Sequence, residues 1–393
     1  MTTKTSKIIF TASFAIFVFG MLLYVPQTQL ADSFSEDSLS VTEKSAIPTS
    51  VKSYAVSNLK TDESLSKIDS NAFSVTHKGI IYDLVLFEDE MLNNAVTEDN
   101  ADNAIAYVGY VKGDKTSEAS IIISDKDVAG TIRTGNIVIS IDPLSFHGYG
   151  LSGERQIIYD QNDLDFEFVF DESDMLKDNT DSEPIVKTSS KIASFLPTVT
   201  ADPGHQIGTI IVTDDDYDAL PGSCATSLLT RVGGVNTIYT QTEATINLLS
   251  YDCTVSYLSD TSMSGYAWDL RNEWDGDTTT TRDAVLGFIG HDVSGGTTGA
   301  AWTDSVTDTD RMYGVIQLSD DSSTNYDASA FEQNINVAHE MGHIMSCVHD
   351  NNTFPSGDYS IMAGGVAITD DDFDDEFLQA CEDDINDSAD ANL

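Results

Sequence analysis

The run His339-Glu340-Met341-Gly342-His343 sets two imidazoles four positions apart with a carboxylate between them, and a further histidine, His349, follows shortly after. Residues four apart share a helix face, so His339 and His343 can point both rings at one ion while Glu340 reaches a water held by that ion. With His349 as third ligand, three neutral imidazoles leave a four-coordinate Zn²⁺ one open position for the water. The ion would acidify the water, Glu340 would accept its proton, and the hydroxide would attack a carbonyl polarised by the same ion. Return of the proton to the leaving nitrogen would complete the step. The chemistry these residues suit is metal-assisted amide hydrolysis.

A helix must hold them, and the residues before the motif supply its signals. Ser329-Ala330-Phe331-Glu332 has capping-box spacing, and Ile335, Ala338, Gly342 and Met345 fall on a second, apolar face. Around that helix, strand patterns at 207–212, 244–249, 284–289 and 313–318 alternate with helical spacing near 227–242 and 266–274. Ser360-Ile361-Met362-Ala363 then sits in a Gly-rich turn, and Phe373, Phe377, Leu378, Cys381 and Ile385 trace a last amphipathic helix. Alternating strands and helices make this unit, residues 204–393, α/β.

The upstream chain reads differently. Lys4 and Lys7 precede an uncharged apolar run from Ile8 to Val25, so residues 1–31 are an export signal, or an amino-terminal anchor through residues 8–25 if the segment stays uncleaved. Either way the rest of the chain lies outside the cytoplasm, secreted or at the cell surface. Residues 32–70 show little periodicity and read as a mobile lead-in. Short β-branched runs broken by Lys78-Gly79, Gly113-Asp114 and Thr134-Gly135 make residues 70–150 a small β-rich domain. An acidic linker at 171–203 follows, with no dibasic run to name a processing enzyme. His77 and His147 are isolated in sequence, and a lone histidine is more often structural than catalytic.

Composition agrees with a boundary near residue 192. Every lysine lies at or before Lys191, and beyond it Arg231, Arg271, Arg282 and Arg311 are the only Lys or Arg side chains. The formal net charge of −46 argues against nucleic acid and anionic membrane surfaces as partners. The acidic runs at Asp214–Asp218 and Asp370–Asp375 offer oxygen ligands for Ca²⁺ but do not fit the EF-hand pattern, and solvated charge is the better reading. Cys224, Cys253, Cys347 and Cys381 all follow the boundary and none is in a CxxC pair. Behind an export signal they make two disulfides, and of three connectivities Cys224–Cys253 with Cys347–Cys381 is favoured. Asn351-Asn352-Thr353 and Asn386-Asp387-Ser388 are glycosylation sequons compatible with export.

At the histidine motif the chain resembles the metzincin metallopeptidases and looks closest to their adamalysin (reprolysin) branch. His339-Glu340-Met341-Gly342-His343 with His349-Asp350 matches that branch's HEMGH...HD form, and Met362 matches the methionine of its turn. The resemblance implies an α/β (α+β) catalytic domain with a twisted mixed sheet and an active-site helix. It also implies one catalytic Zn²⁺ on His339, His343 and His349, Glu340 as general base, Met362 beneath the metal and Asp350 as an anchor behind the ligands. Gly299-Ala300-Ala301-Trp302 is similar to the family's edge strand, against which an extended protein or peptide substrate pairs by backbone hydrogen bonds. Residues 32–200 resemble a propeptide, which would make the chain a zymogen inhibited by its own amino-terminal part.

Two departures stand out. Ser346 occupies the place of the family's glycine after the second ligand, where the backbone often takes positive φ. The propeptide-like region has no cysteine, so a thiolate switch on the metal is excluded and latency would rest on steric cover or a carboxylate. Two other readings are open on the residues alone. One is a gluzincin-like peptidase with Glu376 or Glu382 as third ligand, and the other is a weak or inactive metzincin-like extracellular binding protein.

Overall fold

Short β-branched segments bury well only when paired into a sheet, and the amino-terminal half does this with eight of them. A computed structural model describes the chain between residues 38 and 385 except for 70, 98–102, 149, 166, 170–174, 177–204, 219–222, 241, 243, 276–281, 292, 294–297, 303–312, 319–327, 350–359, 364–366, 370–380 and 383–384. Residues 1–31, read as an export signal, Asp350, Glu376, both sequons and the second Asp run therefore lie outside the described residues, as does most of the acidic linker. In chain order the strands are β1 (Ala55–Ser57), β2 (Ser74–His77), β3 (Ile80–Glu88), β4 (Val96–Thr97), β5 (Ile105–Val111), β6 (Glu118–Ile123), β7 (Val128–Thr134), β8 (Ile137–Pro143), β9 (Gln156–Asp160), β10 (Glu167–Val169) and β11 (Met175–Leu176). The first sheet runs β1-β9-β8-β7-β6-β5-β3-β2 with every neighbouring pair antiparallel.

This sheet extends the β-rich domain beyond 70–150, and the segment read as a mobile lead-in contains helices α1 (Val41–Ser45) and α2 (Thr61–Asp69) as well as β1. The reason is long-range pairing. Three residues of β1 are too few to show a period, but they pair with Gln156–Ile158 and bury Val56. A third short helix, α3 (Glu90–Asn93), follows β3.

The second sheet adds β12 (His205–Thr213), β13 (Ala244–Asp252), β14 (Ala284–Ile289), β15 (Gly299–Trp302) and β16 (Tyr313–Gln317); β17 (Ala367–Thr369) pairs separately with β10. Its order is β11-β15-β16-β14-β12-β13-β4. Strands β12, β13, β14 and β16 are parallel and β15 runs antiparallel to β16, the mixed sheet expected. The helices are α4 (Asp215–Asp218), α5 (Cys224–Tyr239), α6 (Met263–Trp274) and α7 (Ala330–Ile344). Alternation along each strand splits the core by face. Ile207, Ile211, Leu286, Ala301 and Ile316 pack with α5 and α7, whereas Ile210, Val212, Val285, Ala300 and Trp302 pack with α6.

A compositional boundary near 192 does not divide the core. Leu92, Ala106, Ile122, Val138 and Tyr159 of the first unit join Leu228, Val232, Ile335 and Met341 of the second in one apolar cluster. Helix α5 lies between the sheets, so close to β6 that a Cβ at Gly233 would fall 2.0 Å from Ser120 Oγ. Polar groups join there too. The fully buried Asp142 carboxylate of β8 accepts the Ala330 N–H at the start of α7 (3.1 Å) and the Tyr159 hydroxyl (2.8 Å), and lies 3.0 Å from His147 Nε2. Burial opposes that charge, yet His147 and Arg231 beside it hold the Asp142 carboxyl below its usual range. His147, isolated in sequence, is thus structural. The first unit caps the amino end of the helix that carries the histidine motif.

Candidate metal centre

Ser329 and Glu332 form the expected capping box at the start of α7: Glu332 N–H donates to Ser329 Oγ (3.3 Å), and Ser329 N–H donates to Glu332 Oε2 (2.7 Å). The whole of α7 is buried, so its polar residues as well as its apolar stripe face protein. His339 and His343 sit in its last turns, and beyond the helix the backbone turns back through Ser346 to bring in His349. Ser346 has φ +74°, the left-handed conformation expected of the glycine it replaces. The strain is carried without losing the third histidine. Ser346→Gly is expected to raise the urea midpoint by an amount equivalent to about 0.5–1 kcal/mol, since the left-handed form costs a Cβ-bearing residue on the order of 1 kcal/mol; an unchanged or lower midpoint would mean the turn is unstrained.

The three Nε2 atoms form a near-equilateral triangle, with His339–His343 3.0 Å, His343–His349 3.2 Å and His339–His349 3.2 Å apart. Their partners decide what these nitrogens are. His339 Nδ1 lies 2.7 Å from the Ile361 carbonyl and His343 Nδ1 2.8 Å from the Cys347 carbonyl. A carbonyl only accepts, so each Nδ1 carries the proton and each Nε2 presents a lone pair. Buried lone pairs 3 Å apart repel unless a cation lies between them. A tetrahedral zinc ion with bonds of about 2.0–2.1 Å sets its ligand nitrogens about 3.3–3.4 Å apart, close to the spacing seen. The residues fit a metal ion, and orientation of two ligand rings through backbone carbonyls is the usual supporting arrangement.

A second cluster, His77 with Asp160 and Asp163, also has metal-ligand atom types within reach of one another. There, however, the cation position is taken: Lys78 Nζ lies 2.9 Å from Asp160 and 3.0 Å from Asp163. Burial works against the Asp160 charge, but His77 and Lys78 hold its carboxyl well below the usual range. That cluster is an ion network of the first sheet. Asp214, in the first Asp run, spends one carboxylate oxygen on the N–H groups of Tyr217 (2.8 Å) and Gly290 (2.9 Å), an internal cap.

The surroundings of the histidines were partly legible. Met362 is fully buried in the turn whose Ile361 carbonyl orients His339, and its N–H donates to Ser360 Oγ at 3.2 Å. Cysteines pair as Cys224–Cys253 and Cys347–Cys381, the favoured connectivity, and the second bridge anchors the residue whose carbonyl orients His343. Glu340 is buried against Gly299, where a Cβ would fall 2.1 Å from its Oε1, so any larger residue at the start of β15 would have to displace the Glu340 side chain. Among the described residues the metal-competent group here is His339 and His343 of α7 with His349 beyond the helix end, without Glu382. Sequence reasoning missed two features. Asn336, on the Glu340 face of α7, bonds the segment entering β15, and β15 is not an edge, because β11 pairs with it in parallel, Met175 opposite Ala301 and Leu176 opposite Trp302.

Residues 204–371 match the family described as Reprolysin_5, metallo-peptidase family M12. The matched stretch is under half of the chain and falls within the carboxy-terminal unit, which is similar to M12 metallopeptidases. No curated protein matches the chain. Among solved structures, metalloproteinase-II from Bacteroides fragilis is 12% identical with a TM-score of 0.48, over 84% of this chain and 96% of that one. A chaperone–substrate complex is 14% identical with a TM-score of 0.34, over 48% of this chain. The chain spans only 35% of the latter's length. That likeness agrees with the histidine motif, the mixed sheet and three histidines that could hold a metal.

Proposed function

We propose that the chain is a secreted zinc endopeptidase made as a precursor, hydrolysing peptide bonds in protein or peptide substrates. The observation that carries this is the convergence of three imidazole Nε2 atoms, those of His339 and His343 buried and that of His349 part-buried, on the helix that also carries the buried Glu340. His339, His343 and His349 hold the ion, with Met362 in the turn behind His339. Zinc, when bound, supplies Lewis acidity toward a water and toward the scissile carbonyl. Glu340 takes the proton of the attacking water and delivers it to the leaving nitrogen, its carboxylate kept dry by burial and close to β15 by Gly299. Substrate lies antiparallel to Gly299-Ala300-Ala301-Trp302, exchanging backbone hydrogen bonds with that strand. The apolar run 8–25 and two disulfides support export.

Latency follows from β11. It pairs with β15 in parallel, opposite to the antiparallel direction proposed for substrate, and on this reading it covers that strand in a polarity that does not present a bond for cleavage. Residues 32–200 are on this reading the propeptide. The test is cleavage of a peptide library by processed protein: zinc-dependent cutting, abolished by a chelator and restored by zinc, is expected, and cutting that survives complete metal removal would exclude the mechanism.

A further inference from the structure

Helix α7 and strand β15 meet at two consecutive points. Glu340 meets Gly299, where no side chain separates carboxylate from backbone. One turn earlier, the fully buried Asn336 meets Thr298: its Nδ2 donates to the Thr298 carbonyl at 2.9 Å, and the Thr298 hydroxyl donates to Asn336 Oδ1 at 3.3 Å. The same Nδ2 lies 3.4 Å from the Gln317 carbonyl, and Gln317 N–H donates to the Thr298 carbonyl at 2.8 Å. Residues four apart on a helix lie one above the other, so 336 and 340 address adjacent residues 298 and 299 of one strand. The amide thus ties the end of β16 and the entry of β15 to the helix that carries His339, Glu340 and His343.

We propose that Asn336 is a positioning residue for the peptidase reaction, setting the substrate-pairing strand at a fixed height over Glu340 through its bidentate bond to Thr298. The inference rests on the reading of β15 as substrate strand and Glu340 as base. Its physical basis is the steep dependence of rate on placement: a shift of about 1 Å between bound substrate and catalytic group costs on the order of 100-fold. An asparagine suits the task because it offers a donor to one carbonyl and an acceptor to one hydroxyl on a single rigid amide. Loss of the amide would leave His339, His343 and His349 in place, since none of them bonds to it among the contacts described.

The test compares processed wild-type holoprotein with Asn336→Leu, which keeps the branched shape and heavy-atom count, and Thr298→Val, which replaces the hydroxyl by a methyl. Three quantities are read: zinc per chain, kcat and KM on one peptide, and amide hydrogen exchange of Gly299–Trp302. Expected for Asn336→Leu are unchanged zinc, a kcat lowered about 10–100-fold with KM altered less than about threefold, and faster exchange confined to residues 298–302. Thr298→Val should move the same quantities in the same direction by less. Wild-type kcat and exchange in Asn336→Leu would overturn the proposal, as would faster exchange spread evenly over the domain, which marks a merely structural role. If Asn336→Leu does not fold, Thr298→Val with wild-type kcat and exchange overturns it alone. Failure of the peptidase reading looks different, a wild type that binds zinc and cleaves nothing; the exchange measurement then decides the clamp by itself.

Discussion

Glu340→Gln is expected to lower kcat/KM for peptide cleavage by about 10²–10⁴-fold, the usual contribution of a positioned general base, while zinc content stays at the wild-type level. The substitution is close to isosteric, and the neighbour that limits space is the Gly299 backbone, which an amide tolerates as well as a carboxylate. Two of the ligand rings have anchors that the substitution leaves in place, His339 on the Ile361 carbonyl and His343 on the Cys347 carbonyl. Steady-state kinetics beside metal analysis separates the outcomes. Retained activity would take the base role from Glu340, and lost zinc would make it part of the metal's environment instead.

Disrupting β11 in the full-length protein is expected to release activity. A strand tethered beside its site competes at an effective concentration on the order of 1 mM, so a weakly binding substrate at about 0.1 mM gains on the order of tenfold when the strand is removed. Leu176→Pro is the suitable change, since proline removes a backbone donor within a short strand, and Leu176 packs part-buried on the α6-side cluster rather than on the one the two units share. Cutting in 177–204 alone is a poorer test: the amino-terminal unit remains seated on α5 and α7 through a common apolar cluster and through Asp142 on Ala330. Peptidase assays on full-length wild type and Leu176→Pro should therefore differ, and equal rates would rule out latency through β11.

The motif and its helix were legible because both are local. Ser329 and Glu332 signal a cap three residues apart, and the histidine spacing follows from the period of a single helix. The strands β12, β13, β14 and β16 announced themselves as continuous apolar runs, as buried parallel strands do. Ser346 was visible as a departure, and its φ of +74° is the conformation that the missing glycine would have taken. What stayed hidden depends on partners far away in sequence. Neither β1 nor β11 has enough residues to show a period, and each exists through a strand about 100 residues or more distant. A boundary drawn from lysine distribution reflects surface composition, whereas the core ignores it. Backbone carbonyls as ligand-orienting groups carry no sequence signature, and Asn336 was readable only as a polar residue on the Glu340 face.

Zinc stoichiometry of folded wild type, His349→Ala and Glu382→Ala, measured by atomic spectroscopy after dialysis against trace zinc, tests the three-histidine centre most directly. One zinc per chain in wild type and Glu382→Ala, with loss in His349→Ala, is the result expected from three Nε2 atoms 3.0–3.2 Å apart. Zinc retained by His349→Ala and lost by Glu382→Ala would contradict the centre described.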